Sequence, residues 1–317
     1  MKILITGPLG QDGIILTELL QDNNELHGVC RYQTPLEKIM DHKKKYNINL
    51  IPSDLSDIKS VEILIKNIQP EIIINFAGET DVINPWGDVN STYNQNFIIP
   101  YNILETISKQ NRDIFFFQSS SSLMYARSNE YIINENSKPS PMFPYGVTKL
   151  SVHHLINEYR LKYNLKCSSG IFFNHESVHR GKKFITKKLS MLISKILNGG
   201  NDKISLFNLN FNRDVSHAND LMNGVKLIIE NGINEDFIFS SGESTNFLEF
   251  SKKFFTVNNL DFNKYIDYSD NNDYINEYNI IGDNSKLKTI GWSPKYGIDD
   301  LILDMITKEK NNNYYEW

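Results

Sequence analysis

Tyr145 and Lys149 stand four residues apart in the run Tyr145-Gly146-Val147-Thr148-Lys149. On a helix that spacing puts a phenol and an ammonium on one face. An ammonium beside a phenol favours the phenolate, so Lys149 is expected to lower the pKa of Tyr145 and make it a usable acid/base near neutral pH. Far upstream, Gly7-Pro8-Leu9-Gly10-Gln11-Asp12-Gly13 sets a glycine at every third position, after an apolar run and before a helical stripe. Glycines let a backbone approach a diphosphate, and a helix N-terminus favours its negative charge. Together the two motifs point to hydride chemistry on an alcohol or ketone with a nicotinamide dinucleotide.

The same reading places further cofactor contacts. Gly7, Gly10, Gln11, Asp12 and Gly13 form the expected phosphate turn. At the end of the second strand stands Cys30-Arg31-Tyr32, with no carboxylate to bind a ribose 2′-hydroxyl. The Arg31 guanidinium suits a 2′-phosphate, which favours NADP, with NAD as the alternative. Asp54 and Leu55 follow the third strand and are expected at the adenine. Phe76 and Ala77 end the fourth, and Phe172 lies near the end of a later strand facing the same cleft. The Asp113–Gln118 run ends in Ser119-Ser120-Ser121-Ser122, where a hydroxyl can orient a substrate oxygen beside Tyr145.

These residues need a scaffold. Lys2–Thr6, Glu25–Cys30, Asn49–Pro52, Glu71–Ala77, Asp113–Gln118 and Cys167–Phe173 read as strands, several of them nearly unbroken apolar runs. Helical periodicity marks Gly13–Gln21, Val61–Ile68, Tyr145–Tyr163, Thr186–Leu197 and Ile298–Ile306. Strands alternating with helices predict an α/β chain with a doubly wound parallel sheet, Rossmann-like. The expected division is a dinucleotide-binding part over residues 1–170 and a smaller, mainly substrate-binding part over 171–317, interleaved with the first. The later part reads as more irregular, with a short strand at Asp236–Ser240 and a loop over Asp267–Tyr278.

Composition narrows the remaining classes. At 317 residues and a net charge of −5, the chain is large enough for a real core and too acidic for a nucleic-acid groove. Lys43-Lys44-Lys45 and Lys182-Lys183 read as solvated faces. Cys30 and Cys167 sit in apolar runs and read as buried thiols, not a disulfide framework. No run is long enough to span a bilayer, and Met1–Thr6 leads straight into the glycine turn, so a cytoplasmic chain without a signal peptide is expected. His153 and His154 are adjacent and do not share a helix face, so no metal site is expected.

Beyond these, Gly10-Gln11-Asp12-Gly13, His27-Gly28-Val29, Phe173-Asn174-His175-Glu176-Ser177 with Arg180-Gly181, Arg213-Asp214-Val215-Ser216-His217-Ala218, Ser241-Gly242-Glu243 and Gly291-Trp292-x-Pro294 run in order over nearly the whole chain. In these motifs and in its Ser–Tyr–Lys set, the chain resembles the GDP-mannose 4,6-dehydratase family of extended short-chain dehydrogenases. The resemblance implies a nucleotide-sugar substrate, a homodimer or higher homo-oligomer, and hydride transfer at C4 of the sugar. It implies roles for Ser121, Tyr145 and Lys149 in catalysis. It also implies Asn174 and Arg213 at the sugar-nucleotide diphosphate, with Glu176, Arg180 and Lys187 near substrate and cofactor.

The chain departs from that pattern where the reaction is decided. The family carries a threonine and, two residues on, a glutamate that removes the C5 proton before water leaves. Here those positions are Ser121 and Leu123. A leucine takes no proton, and loss of a positioned base costs about two to four orders of magnitude in rate. The expected activity is therefore C4 oxidation, reduction or epimerisation. The alternatives are a dehydratase with a relocated base, for which Glu130 and Glu135 are candidates, and a non-catalytic dinucleotide-binding subunit. The loop after Arg31 is also shorter than in the family. An arginine expected before Ile280 is replaced by the Asp270–Glu277 stretch.

Overall fold

The computed structural model describes residues 1–79, 85–270 and 278–311. Its strands are β1 (Lys2–Thr6), β2 (Glu25–Cys30), β3 (Asn49–Pro52), β4 (Ile72–Asn75), β5 (Phe115–Ser121), β6 (Ile132–Ile133), β7 (Cys167–Phe172), β8 (Asn174–Glu176), β9 (Ile204–Phe207), β10 (Asn212–Arg213), β11 (Val215–His217), β12 (Phe237–Phe239), β13 (Thr245–Asn246), β14 (Ile266–Ser269) and β15 (Ile281–Gly282). The helices are α1 (Gln11–Leu20), α2 (Leu36–Lys45), α3 (Ile58–Ile68), α4 (Val89–Tyr93), α5 (Ile99–Gln110), α6 (Phe143–Tyr163), α7 (Ile185–Leu197), α8 (Ala218–Asn231), α9 (Phe247–Thr256), α10 (Phe262–Tyr265), α11 (Ser285–Thr289) and α12 (Ile298–Lys310).

Seven strands form one sheet in the order β12-β7-β5-β4-β1-β2-β3, and every pairing in it is parallel. Successive side chains alternate between its faces. Ile3, Ile5, Ile72, Ile74 and Phe117 pack on one side with α1 and α8. Leu4, Ile73 and Phe116 pack on the other with α3, α5 and α6. Burial on both faces is why these strands read as unbroken apolar runs. The chain leaves β1 toward β2 on one side and returns through β4 on the other, so a crevice opens beyond the C-terminal ends of β1 and β4.

Several expectations need adjusting. β5 runs on through Ser121, so Ser119–Ser121 belong to the strand itself. β4 stops at Asn75, leaving Phe76 and Ala77 outside the sheet at the crevice. The structure adds helices that the sequence pattern did not assign, α2, α5, α8 and α9 among them. The later part is also less irregular than expected. α7, α9 and α12 enclose their own apolar core, in which Phe250, Phe254 and Phe255 are buried. Within the expected Asp267–Tyr278 loop, residues to Ser269 form strand β14, paired parallel with β9, because Ile266 is buried in that core. The remainder of that stretch, 271–277, and the C-terminal 312–317 lie outside the described residues.

Candidate active site

The glycine turn follows β1 directly. Gly7 takes a positive φ of 68°, which favours glycine, and a Cβ there would stand 3.0 Å from backbone atoms of Phe76 and Ala77. At Gly13 a Cβ would fall 2.3 Å from the Gly7 carbonyl oxygen. The spacing of the glycines thus lets α1 start tight against β1 and β4. α1 begins at Gly10 with no side-chain cap, leaving its first N–H groups available to an anion. Thr6 Oγ1 donates to Asn75 Oδ1 at 2.5 Å and receives the Ala77 N–H at 3.0 Å, fixing the two strand ends together. Arg31 is exposed immediately after β2. Asp54 is exposed and accepts from Ser56, while Leu55 is buried. This backbone cradle fits a dinucleotide diphosphate.

Across the crevice, α6 carries Tyr145 and Lys149. Phe143 enters this helix at a φ of 61°, a left-handed conformation that costs a bulky residue of order 1–3 kcal/mol. Gly146 lets α6 sit on the Leu123 carbonyl, which a Cβ would approach to 2.7 Å. The Lys149 ammonium donates to the Ser119 carbonyl at 2.9 Å and lies 5.6 Å from the centroid of the Tyr145 ring. Ser121 hydrogen-bonds the Tyr145 hydroxyl and also accepts the Leu123 N–H at 3.2 Å. Ser121, Tyr145 and Lys149 are thus brought together at the end of β5.

The electrostatics differ from the expectation for Lys149. Burial pushes Tyr145 up to about 12. The Ser121 hydrogen bond and the Arg180 charge pull it back, and Asp12 opposes them. Lys149 is itself pushed down to about 8 by burial, with Asp12 raising it. The groups that favour the phenolate here are therefore Ser121 and Arg180, not Lys149, because desolvation outweighs what a lysine aimed at a carbonyl returns. At neutral pH both groups carry their protons, so the phenol is set to donate to a carbonyl oxygen.

Leu123 lies beside them. It is buried in a small apolar cluster with Ala126 and Met142, against Phe143, Tyr145 and Tyr278. Neither alternative carboxylate fills its place. Glu135 accepts the Ile238 N–H at 2.8 Å, and exposed Glu130 accepts from Ser137 at 2.5 Å. Both hold loops together.

The third wall comes from β8 and its sequel. Asn174 and Glu176 pair in register with Val215 and His217 of β11. Asn174 makes no side-chain hydrogen bond among the described residues, which leaves it free for a ligand. Glu176 accepts from Thr186 at 2.6 Å and pairs with Arg180 at 3.2 Å. Arg180 stacks on Phe184, 3.7 Å from its centroid, and its charge acts on Tyr145. Lys187 is fully buried and bonds Glu309 at 2.6 Å and the Val178 carbonyl at 2.8 Å. It ties α7 to α12, so a phosphate would have to displace a buried ion pair to reach it. Arg213 lies over the Tyr278 ring at 3.5 Å and donates to the Tyr278 carbonyl. Phe172 packs against His175, ring centroids 5.4 Å apart.

His175 was not assigned a role from the sequence. Its Nε2 lies 3.0 Å from Asp12 Oδ1 and its Nδ1 2.8 Å from the Phe173 carbonyl oxygen. The signal was present in the paired motifs Gln11-Asp12 and His175-Glu176-Ser177, but only the fold shows that they touch. Among the described residues, no group of three or more His, Cys, Asp or Glu side chains is placed to hold a metal. No helix among them is long and apolar enough to cross a membrane. Both cysteines are buried and free.

Comparison with known proteins agrees with this geometry. The family profile described as GDP-mannose 4,6 dehydratase matches residues 4–305. The chain is 29% identical to GDP-mannose 4,6 dehydratase of Homo sapiens over 96% of this chain and 90% of that one. In fold it is similar to dTDP-glucose 4,6-dehydratase of Bacillus anthracis in complex with NAD, with a TM-score of 0.83, 18% identity and coverage of 98% and 97%. It is also similar to RMD of Pseudomonas aeruginosa complexed with NADPH, with a TM-score of 0.79, 18% identity and coverage of 98% and 99%.

Proposed function

The chain belongs to the GDP-mannose 4,6-dehydratase family, and from that premise we propose that it is an NADP-dependent enzyme that moves hydride at C4 of a GDP-linked sugar without eliminating water. The observation that carries this reading is Leu123, buried against Tyr145 where the family has its C5 base. A bound nicotinamide would supply the hydride acceptor or donor. The glycine turn would hold its diphosphate and Lys149 its ribose. Ser121 and Tyr145 would hydrogen-bond O4, and Tyr145 would carry the proton between O4 and the site. An apolar side chain facing the sugar leaves the C5 proton in place. The hydride can then return to the same face or the opposite one, which allows oxidation, reduction or epimerisation at C4. Arg31 supports the 2′-phosphate of NADP. Relatives of this fold use either dinucleotide, so this residue is where the two cofactors would be discriminated.

The test is incubation of the purified protein with GDP-mannose or a GDP-heptose and NADP⁺, followed by mass spectrometry and NMR of the sugar. The expected product has lost one hydrogen from C4 and one from its hydroxyl, giving a 4-keto sugar, or is the C4 epimer. Efficient loss of water to a 4-keto-6-deoxy sugar overturns the reading. One observation favours that second outcome. Glu79, just past β4, has a buried carboxylate oxygen with no hydrogen-bond partner among the described residues. If water is lost, Glu79→Gln is the variant that should stop it.

A further inference from the structure

We propose that His175 is a positioning residue that neutralises Asp12 at the diphosphate end of the cofactor cleft, and so couples dinucleotide affinity to the protonation of its imidazole. The inference rests on the dinucleotide reading above.

The geometry sets the charge. His175 Nδ1 faces the Phe173 carbonyl oxygen at 2.8 Å and Nε2 faces Asp12 Oδ1 at 3.0 Å. Both partners accept. A neutral imidazole has one N–H, so only the imidazolium satisfies both contacts. Asp12 lies in the first turn of α1, at the end whose N–H groups favour an anion. A bare carboxylate there repels a diphosphate arriving at the same helix end. Paired with an imidazolium, it does not.

The pair is held from several sides. Gln11 Nε2 donates to the His175 carbonyl at 3.1 Å and to Asp12 Oδ1 at 3.3 Å, and Ser177 donates to Gln11 Oε1 at 2.9 Å. The glycine turn and β8 therefore form one hydrogen-bonded unit. Other groups face it too. Arg180, beyond β8, acts against the imidazolium, the Phe172 ring lies against it, and Ser216 of β11 is its register partner. Asp12 in turn acts on Tyr145 and Lys149 of α6. Burial disfavours the charged ring, but the charge and hydrogen bond of Asp12 outweigh it and raise His175. Asp12 is raised by burial and lowered by more through His175, ending low. A raised histidine is charged below its folded pKa and neutral above it, so the pairing fails as pH climbs.

The experiment measures NADP⁺ and NAD⁺ affinity of the full chain by calorimetry from about pH 6 to about pH 9. Wild type should weaken by roughly tenfold toward the alkaline end. His175→Asn should bind more weakly at low pH and lose most of that dependence. Asp12→Asn/His175→Asn should regain affinity. The double variant keeps Lys149, so any alkaline limb it retains belongs to that lysine. Should the single variant not fold, the His175 ring proton can be followed by NMR in wild type. Its midpoint should lie above that of an ordinary histidine and move further up with dinucleotide bound. Wild-type affinity that is flat with pH, a pH dependence in His175→Asn as large as in wild type, or an NMR midpoint unmoved by dinucleotide overturns the proposal alone. No dinucleotide binding at any pH overturns the cofactor reading as well.

Discussion

The two sides of the crevice are built by different means. The cofactor side is mostly backbone: a glycine turn, an uncapped helix start and strand ends locked by Thr6 and Asn75. The side formed by residues 174–213 is mostly long charged side chains, and these already have partners. Glu176 holds Thr186 and Arg180, Lys187 holds Glu309, and Arg213 holds Tyr278. A backbone site stands ready because its donors cannot rotate away. A side-chain site is a competition, in which a ligand gains only what exceeds the internal pairing it breaks. The cofactor side is thus formed before any ligand arrives, whereas sugar specificity depends on which internal pairs a substrate can open.

The largest expected effect lies on the catalytic face that joins the two sides. Tyr145→Phe should lower turnover by about two to four orders of magnitude and leave dinucleotide affinity within a few fold, measured by steady-state kinetics and calorimetry. Comparable loss of both would mean that Tyr145 builds the site and does no proton transfer.

Next comes the substrate side. Lys187→Ala leaves Glu309 buried without its ammonium and should cost about 3–5 kcal/mol in denaturant unfolding. Nucleotide-sugar affinity of the folded variant should change little. A selective loss of affinity at unchanged stability would return Lys187 to the substrate and narrow the contrast between the two sides.

The smallest effect sharpens the cofactor side. Arg31 is exposed, so Arg31→Ala should cost no stability and weaken NADP⁺ by about tenfold relative to NAD⁺. Equal affinities before and after the change would show that the 2′-position is not read by this residue.

Much of the cofactor side was legible in the sequence. β1, β2 and β3 follow from their apolar runs, and Gly7 and Gly13 of the turn are required by approaches closer than a Cβ allows. The helices α8 and α9 were legible as well, though unassigned: Leu221, Met222, Val225, Ile228 and Ile229 in one, and Phe247, Phe250, Phe254 and Phe255 in the other, recur at helical spacing. The role of Lys187 was illegible. Nothing near it in sequence announces Glu309, which lies 122 residues away.

The order of residues alone determined the phosphate turn, the Tyr145–Lys149 spacing and the leucine at position 123, because each is a local requirement of backbone freedom, helical pitch or side-chain chemistry. Tertiary structure alone decided the charge states. Burial, not the neighbouring lysine, sets the proton on Tyr145, and a contact between α1 and β8 sets the proton on His175. Desolvation and long-range pairing depend on what the fold brings close, and no spacing along the chain encodes them.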